Sequence, residues 1–169
     1  NDFTLSRDFL RLILSKKLNI PANKIVIETN PQGKPYVGHD IEFNISHCYA
    51  HLLIALSQKP IGIDIEYTLR KKDWKKLSKR FFHADEQKQM NNSDDFYHIW
   101  TRKESFLKCL GSGITKELSK INVLEDKISF EGKEYYFSKL TLPTHYIGHL
   151  CSTEATAYSI KELKDVKWI

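Results

Sequence analysis

The chain has 169 residues, 26 Lys and Arg against 21 Asp and Glu, a net charge of +5, and seven His. Its content, 41% hydrophobic and 12% aromatic, excludes a disordered chain. No apolar run approaches the ~20 residues of a membrane-spanning helix. Three Cys (Cys48, Cys109, Cys151) without a CxxC spacing exclude a disulfide scaffold and a Cys-rich zinc site, and fit a reducing, cytoplasmic setting. The length suits one domain, and the positive balance points to nucleic acid, phosphorylated ligands or an acidic protein as partner.

In chain order, apolar residues at Leu5, Phe9, Leu10, Leu12, Ile13 and Leu14 predict an amphipathic helix over Thr4–Leu18, closed by Pro21. Lys24–Glu28 reads as a short strand from its β-branched content, and Asn30–Gly38, with two Pro and two Gly, as a loop. His51–Ser57 and Ile61–Glu66 read as a hairpin joined at Gln58, Lys59 and Pro60. Arg70–Arg80 is strongly basic, with Trp74, Leu77, Phe81 and Phe82 as its apolar face. A second long helix is predicted from about Asp94 to Leu110, with Ser93 or Asp94 as N-cap and Gly111 as its stop. Ile121–Ile160 alternates short strand-like runs with turns. The pattern is α+β with antiparallel sheets, and no linker divides it.

Three acids stand out. In Gly62-Ile63-Asp64-Ile65-Glu66, Asp64 and Glu66 share one face of a strand while Ile63 and Ile65 share the other. A polar surface strand explains this equally well, except that two carboxylates on one face repel unless a positive group lies between them. A hard dication such as Mg²⁺ is the usual solution. Glu104 lies one turn before Lys108, on the side of the second helix that also carries Trp100 and Leu107. Taken alone, it is a surface ion pair. In Phe43-Asn44-Ile45-Ser46-His47, the hydroxyl and imidazole suit a phosphate better than a nucleophile–base pair, because adjacent side chains in a strand diverge. Gly33-Lys34-Pro35 alone is a turn carrying a cation.

Together and in this order, Gly33-Lys34-Pro35, Phe43-Asn44-Ile45-Ser46-His47, Gly62-Ile63-Asp64-Ile65-Glu66, Arg80-Phe81-Phe82 and Trp100-x-x-Lys103-Glu104-Ser105-x-x-Lys108 resemble the 4′-phosphopantetheinyl transferases. The match is to the larger, pseudo-dimeric class that activates peptide and polyketide synthase carrier domains, and it runs from about Leu5 to Gly113. The resemblance implies a single domain over 1–169, built of two similar α/β halves (about 1–60 and 61–169) related by a pseudo-twofold. The active site lies between the halves, the N-terminal half is shortened, and a monomer is the default. It also implies a reaction: Mg²⁺-dependent transfer of the phosphopantetheine arm of coenzyme A to a serine of an apo acyl or peptidyl carrier protein, releasing adenosine 3′,5′-bisphosphate.

By the same resemblance, Asp64, Glu66 and Glu104 are the metal ligands. Glu104 and Lys108 are the catalytic pair, with Lys108 also on the phosphate. Ser46 and His47 hold the coenzyme A phosphates, Lys34 and Pro35 lie beside its adenine and ribose, and Lys103 is a secondary phosphate contact. Glu86 matches a Glu that follows the Arg-Phe-Phe motif, although a helix N-terminal charge explains it more simply. Rival readings are a basic nucleic-acid-binding module, which leaves the acidic trio without a role, a Mg²⁺-dependent nuclease or phosphohydrolase, which leaves Ser46-His47 and Gly33-Lys34-Pro35 unexplained, and a catalytically silent scaffold.

Overall fold

The structure, a computed structural model, describes residues 2–111, 117–155 and 158–161, with side chains from Ser6 onward. Gly113, the far end of the family resemblance, lies outside the described residues. Helix α1 spans Asp2–Leu18 and buries Leu10 and Leu14 completely. These two residues pack with Ile25, Val37 and Phe43 in a small core.

The strand expected over Lys24–Glu28 does not form. Ala22–Lys24 is a 3-10 turn, and only Glu28–Thr29 (β1) pairs, with Pro35–Tyr36 (β2). Ile25 is buried while Val26 is 68% exposed, so the side chains alternate as in a strand, but no ladder forms along 25–27.

Strands β3 (Glu42–Cys48) and β4 (His51–Ser57) make an antiparallel two-stranded sheet joined by a tight turn in which Tyr49 has φ 51°. The hairpin expected between His51–Ser57 and Ile61–Glu66 is absent. Strand β5 (Ile61–Tyr67) instead heads a four-stranded antiparallel sheet of order β5-β8-β7-β6, with β6 at Lys127–Phe130, β7 at Lys133–Lys139 and β8 at Tyr146–Ser152. β4 is paired with β3 along its whole length, and β5 is paired with β8 from Ile61 to Tyr67. Pro60 has no N–H to donate, so the chain leaves the first sheet at that corner.

Helix α2 covers Trp74–Phe81, capped by Asp73, and α3 covers Ala84–Gln89. Helix α4 runs Ser93–Leu110. Its N-cap is Asn92 rather than Ser93 or Asp94: the Asn92 side chain accepts from the N–H groups of Asp94 and Asp95 at 2.8 and 3.0 Å. Asp95 returns the bond to the Asn92 N–H at 3.2 Å, which completes a capping box. Gly111 ends the helix at φ 71°, as its sequence position predicts.

The main core lies between α4 and the four-stranded sheet. Phe96, Phe106 and Leu107 of α4 pack with Phe82, Tyr135, Phe137 and Cys151. Each such buried side chain contributes about 1.5–3 kcal/mol. One glycine decides how close helix and sheet approach. A Cβ on Gly62 would stand 2.0 Å from the Ser105 carbonyl oxygen and 2.4 Å from the Cys109 nitrogen. Gly62 therefore lets α4 lie directly on β5, two residues before Asp64.

Candidate active site

Gly62, Asp64 and Glu66 alternate onto the face of β5 that α4 covers. That contact brings the last turns of α4 to Asp64. Lys108 Nζ spends its three donors there: 2.6 Å to Asp64 Oδ1, 3.1 Å to Ser46 Oγ and 3.1 Å to the Ile63 carbonyl. Ser46 is equally occupied. Its hydroxyl donates to Asp64 Oδ1 at 3.0 Å and accepts from the Ile65 N–H at 3.3 Å. Two residues earlier in β3, Asn44 Oδ1 accepts from the Ile63 N–H at 2.9 Å. Side chains of one sheet thus satisfy the open edge of β5 in the other.

The carboxylates sit in a strained electrostatic setting. Asp64 is buried, its Oδ2 has no partner, and burial raises its pKa against the pull of Lys108. Burial, and next the Asp64 charge, push Glu104 up to about 7. Glu66 is ion-paired with Lys72 and accepts from Trp100 Nε1 at 3.1 Å. The positive groups between the paired carboxylates are therefore two lysines, Lys108 on Asp64 and Lys72 on Glu66.

A cleft of about 660 Å³ opens over this cluster, lined by Ser46, His47, Tyr49, Asp64, Glu66, Arg70 and Lys108 among others. Its cations and hydroxyls suit an anionic ligand. The three carboxylates are hard oxygen donors of the kind Mg²⁺ takes. The orphaned Asp64 Oδ2 and the near-neutral Glu104 are groups that a dication would satisfy. They are not a finished cage: among the described residues no group of three or more His, Cys, Asp or Glu side chains stands ready to hold a metal. The donor set fits the ion, which would complete the site on binding.

The structure brings Ser46, Asp64, Glu66, Glu104 and Lys108 together, with exposed His47 at the cleft rim. Lys34 and Pro35 lie outside the cleft lining. Lys34 Nζ is 3.4 Å from Glu42 Oε2, and its stem approaches Gly111 at the end of α4.

Lys103 is a correction. It is fully buried, 2.9 Å from the equally buried Glu86, and donates to the carbonyls of Leu118 and Ile121 at 3.0 and 2.6 Å. Its ammonium has no route to a phosphate. Glu86 likewise does more than complement a helix end. It closes the His83 capping box and accepts from the Val123 N–H at 2.8 Å.

Asn44, Lys72 and Arg70 escaped the sequence reading as site residues. Asn44 had a usable signal, since it shares a strand face with Ser46. Lys72 had none, because it sits in a basic run whose other members, Lys71, Lys75, Lys76, Lys79 and Arg80, are exposed.

A family model for the 4′-phosphopantetheinyl transferase superfamily matches residues 60–159. The chain belongs to this superfamily. The matched span holds Asp64, Glu66, Glu104 and Lys108, while Lys34, Ser46 and His47 precede it. Curated relatives agree. The chain is 40% identical over 111 residues to the 4′-phosphopantetheinyl transferase gsp of Aneurinibacillus migulanus, covering 62% of this chain and 46% of that protein. It is 36% identical over 129 residues to the 4′-phosphopantetheinyl transferase Sfp of Bacillus subtilis, covering 71% and 57%. It is 31% identical over 157 residues to the L-aminoadipate-semialdehyde dehydrogenase-phosphopantetheinyl transferase of Xenopus laevis, covering 80% and 52%. The chain spans about half the length of these relatives. Among the described residues no helix is long and apolar enough to cross a membrane.

Proposed function

We propose that this chain transfers the 4′-phosphopantetheine arm of coenzyme A to a serine hydroxyl of an apo acyl or peptidyl carrier protein. The observation that carries the reading is the cluster of buried Asp64 and Ser46 with half-buried Glu104 and Lys108 under an anion-suited cleft, in a chain of this superfamily. In the reaction the carrier serine oxygen forms a bond to the phosphorus of the phosphopantetheine phosphate. The bond to the bridging oxygen breaks, and adenosine 3′,5′-bisphosphate leaves with that oxygen. Such transfer depends on positioning and charge neutralisation.

Asp64, Glu66 and Glu104 would hold Mg²⁺, which supplies neutralisation of the pyrophosphate charge. The chain's own residues do the rest. Lys108, already fixed by Asp64 and Ser46, presents its ammonium at the cleft wall, where a phosphate oxygen can take the place of one present partner. His47 lies exposed at the rim, where an imidazole N–H can meet a phosphate. Glu104 would accept the serine proton, directly or through a water it orients. Lys34 and Pro35 remain the adenine-side candidates.

The exposed cations of α2 and the turn before it, Arg70, Lys71, Lys75, Lys76 and Lys79, suit an acidic carrier surface. We read the chain as a single domain with its seam near residue 60, acting as a cytoplasmic monomer.

The test is to incubate the protein with coenzyme A, Mg²⁺ and several apo carrier proteins and weigh the carriers. A gain of one phosphopantetheine is expected, and no gain from the folded protein overturns the reading. Asp64→Ala should lower turnover by about 10²–10³. His47→Ala should raise the KM for coenzyme A about tenfold with kcat little changed, the size of one charge-assisted contact.

A further inference from the structure

Lys72 is the one cation of the basic run that turns inward. Its side chain is 18% exposed, that of Glu66 12%, and the two form an ion pair. The ammonium also lies 5.5 Å from the centroid of the Trp100 ring and 5.9 Å from that of Tyr97. Trp100 donates to the same Glu66 oxygen that Lys72 holds. Glu66 is thus gripped on one oxygen by a cation and an indole, both drawn from outside β5. Asp64 is held in the same manner by Lys108. Two of the three carboxylates that would meet a dication, Asp64 and Glu66, already carry a lysine.

The two lysines differ in where they can go. Lys108 is bound to three groups at once, including a backbone carbonyl. Lys72 has one carboxylate and two ring faces. If Glu66 is drawn toward an ion, the rings still hold the ammonium by cation–π attraction, so Lys72 need not return to water.

From this geometry we infer that Lys72 is an internal counter-cation of Glu66: a positioning residue that holds this carboxylate while the site is empty and is exchanged against the divalent ion when the site fills. The consequence is a site whose divalent affinity is set by competition with its own lysine. The empty site stays charge-balanced and folded, and ion uptake is weaker than three free carboxylates would give. The inference rests on the metal-dependent reading above, and it concerns affinity rather than turnover.

The test uses Mn²⁺ as the probe, followed by calorimetry and by the loss of the free-ion electron paramagnetic resonance signal, with no coenzyme A present. Lys72→Gln is expected to bind Mn²⁺ about tenfold more tightly than the unaltered protein. That is the effect of removing a unit charge close to a dication even under the screening of bulk water. Lys72→Arg, which keeps the charge, should stay within about twofold of the unaltered protein. In metal-free buffer, Lys72→Gln should melt at a lower temperature, because Glu66 loses its counter-charge, and it should gain more from added Mn²⁺.

Equal or weaker binding by folded Lys72→Gln overturns the inference while leaving the metal site standing. Absence of Mn²⁺ binding in all three proteins overturns the metal reading itself, and this inference with it. Should Lys72→Gln fail to fold, Lys72→Met in an otherwise identical titration takes its place, with the same two outcomes.

Discussion

Residues 6–57 and residues 61–152 are built to different standards. The first region has a small core of five buried residues (Leu10, Leu14, Ile25, Val37 and Phe43) and two-stranded sheets. Along β4 only Ala55 is fully buried, although five of its seven residues, Leu52 to Leu56, are apolar. The second region lays an 18-residue helix across a four-stranded sheet and buries aromatic side chains between them. The chemistry follows this division. The carboxylates and Lys108 stand on β5 and α4, the most deeply packed elements, where rigid support fixes their geometry. The first region reaches them with two short side chains, Asn44 and Ser46. Positions that must not move are carried by the larger core, and the lighter region is attached to it through these hydrogen bonds and through a small shared cluster in which Ala55 and Leu53 of β4 pack with Ile61, Ile63, Leu140 and Leu150.

The largest expected break falls in the heavier region. Lys103→Met removes the one cation that pairs with the buried Glu86 among the described residues and leaves that charge uncompensated, which costs about 3–5 kcal/mol. Urea unfolding should show it, and the double variant with Glu86→Gln should recover most of the loss. A single-variant cost under about 1 kcal/mol would mean that the pair does not support the core.

Next comes Glu104, whose pKa is raised from the ordinary 4.5 to about 7. A carboxyl raised on folding binds its proton more tightly in the native state. Its contribution is full below pH 4.5 and is lost as pH rises through 7. The metal-free protein should therefore lose on the order of 3 kcal/mol between pH 4.5 and 7.5 relative to Glu104→Gln, in which that slope is absent. A parallel pair of stability curves would show that Glu104 is solvated and not under the pressure of Asp64.

Much of the heavier region is legible from local pattern. The i, i+2 placement of Asp64 and Glu66, the stop at Gly111 and the apolar stripe of α4 all follow from period and capping. What is lost is whatever depends on residues far apart in the chain. Nothing in Ile61–Tyr67 says that it pairs with Tyr146–Ser152 instead of with the neighbouring His51–Ser57. Nothing in Arg70–Arg80 says that Lys72 turns inward. Lys103 is different, because a closer look at the helix would have separated it from Lys108. Five residues at 100° each put the two about 140° apart around α4, so one can face the cleft only if the other faces the core. Motif membership drew Lys103 toward the phosphate, and helical geometry opposed it. In the lighter region the β-branched run at 25–27 was a true signal for alternating burial, but a ladder also needs a partner strand.

A smaller effect should come from His149, paired across the β5–β8 ladder with Asp64 and fully inside. Thr101 gives its hydroxyl proton to the Tyr97 carbonyl at 2.8 Å, so His149 Nδ1, 2.7 Å away, carries a proton and donates to Thr101. Burial, then the charge of Arg102, lowers its pKa from 6.5 to about 3. A histidine kept neutral on folding stabilises above pH 6.5, and that stabilisation is lost as pH falls. Between pH 7 and 5 the loss is about 2 kcal/mol, and His149→Gln should flatten that part of the acid limb. Retention of the full slope in the variant would place the titrating group elsewhere.

The finest cut is at the seam itself. Asn44→Ala leaves the buried Ile63 N–H without its acceptor, at a cost of about 1–3 kcal/mol, with a lower figure if water enters. Because β3 and β5 belong to separate sheets, the loss should loosen one region from the other rather than melt either. Hydrogen exchange would then quicken at Ile63 and Ile65 and along β3, while the amides of β7 and β8 keep their protection. Ser46→Ala cuts the same seam one step along and also frees one donor of Lys108, so it should add a fall in transfer that Asn44→Ala does not produce to the same degree. If both variants quicken exchange and lower transfer alike, the stitching of the two sheets itself supports the site. If only Ser46→Ala depresses turnover, the hydroxyl serves Lys108 and the amide serves the fold.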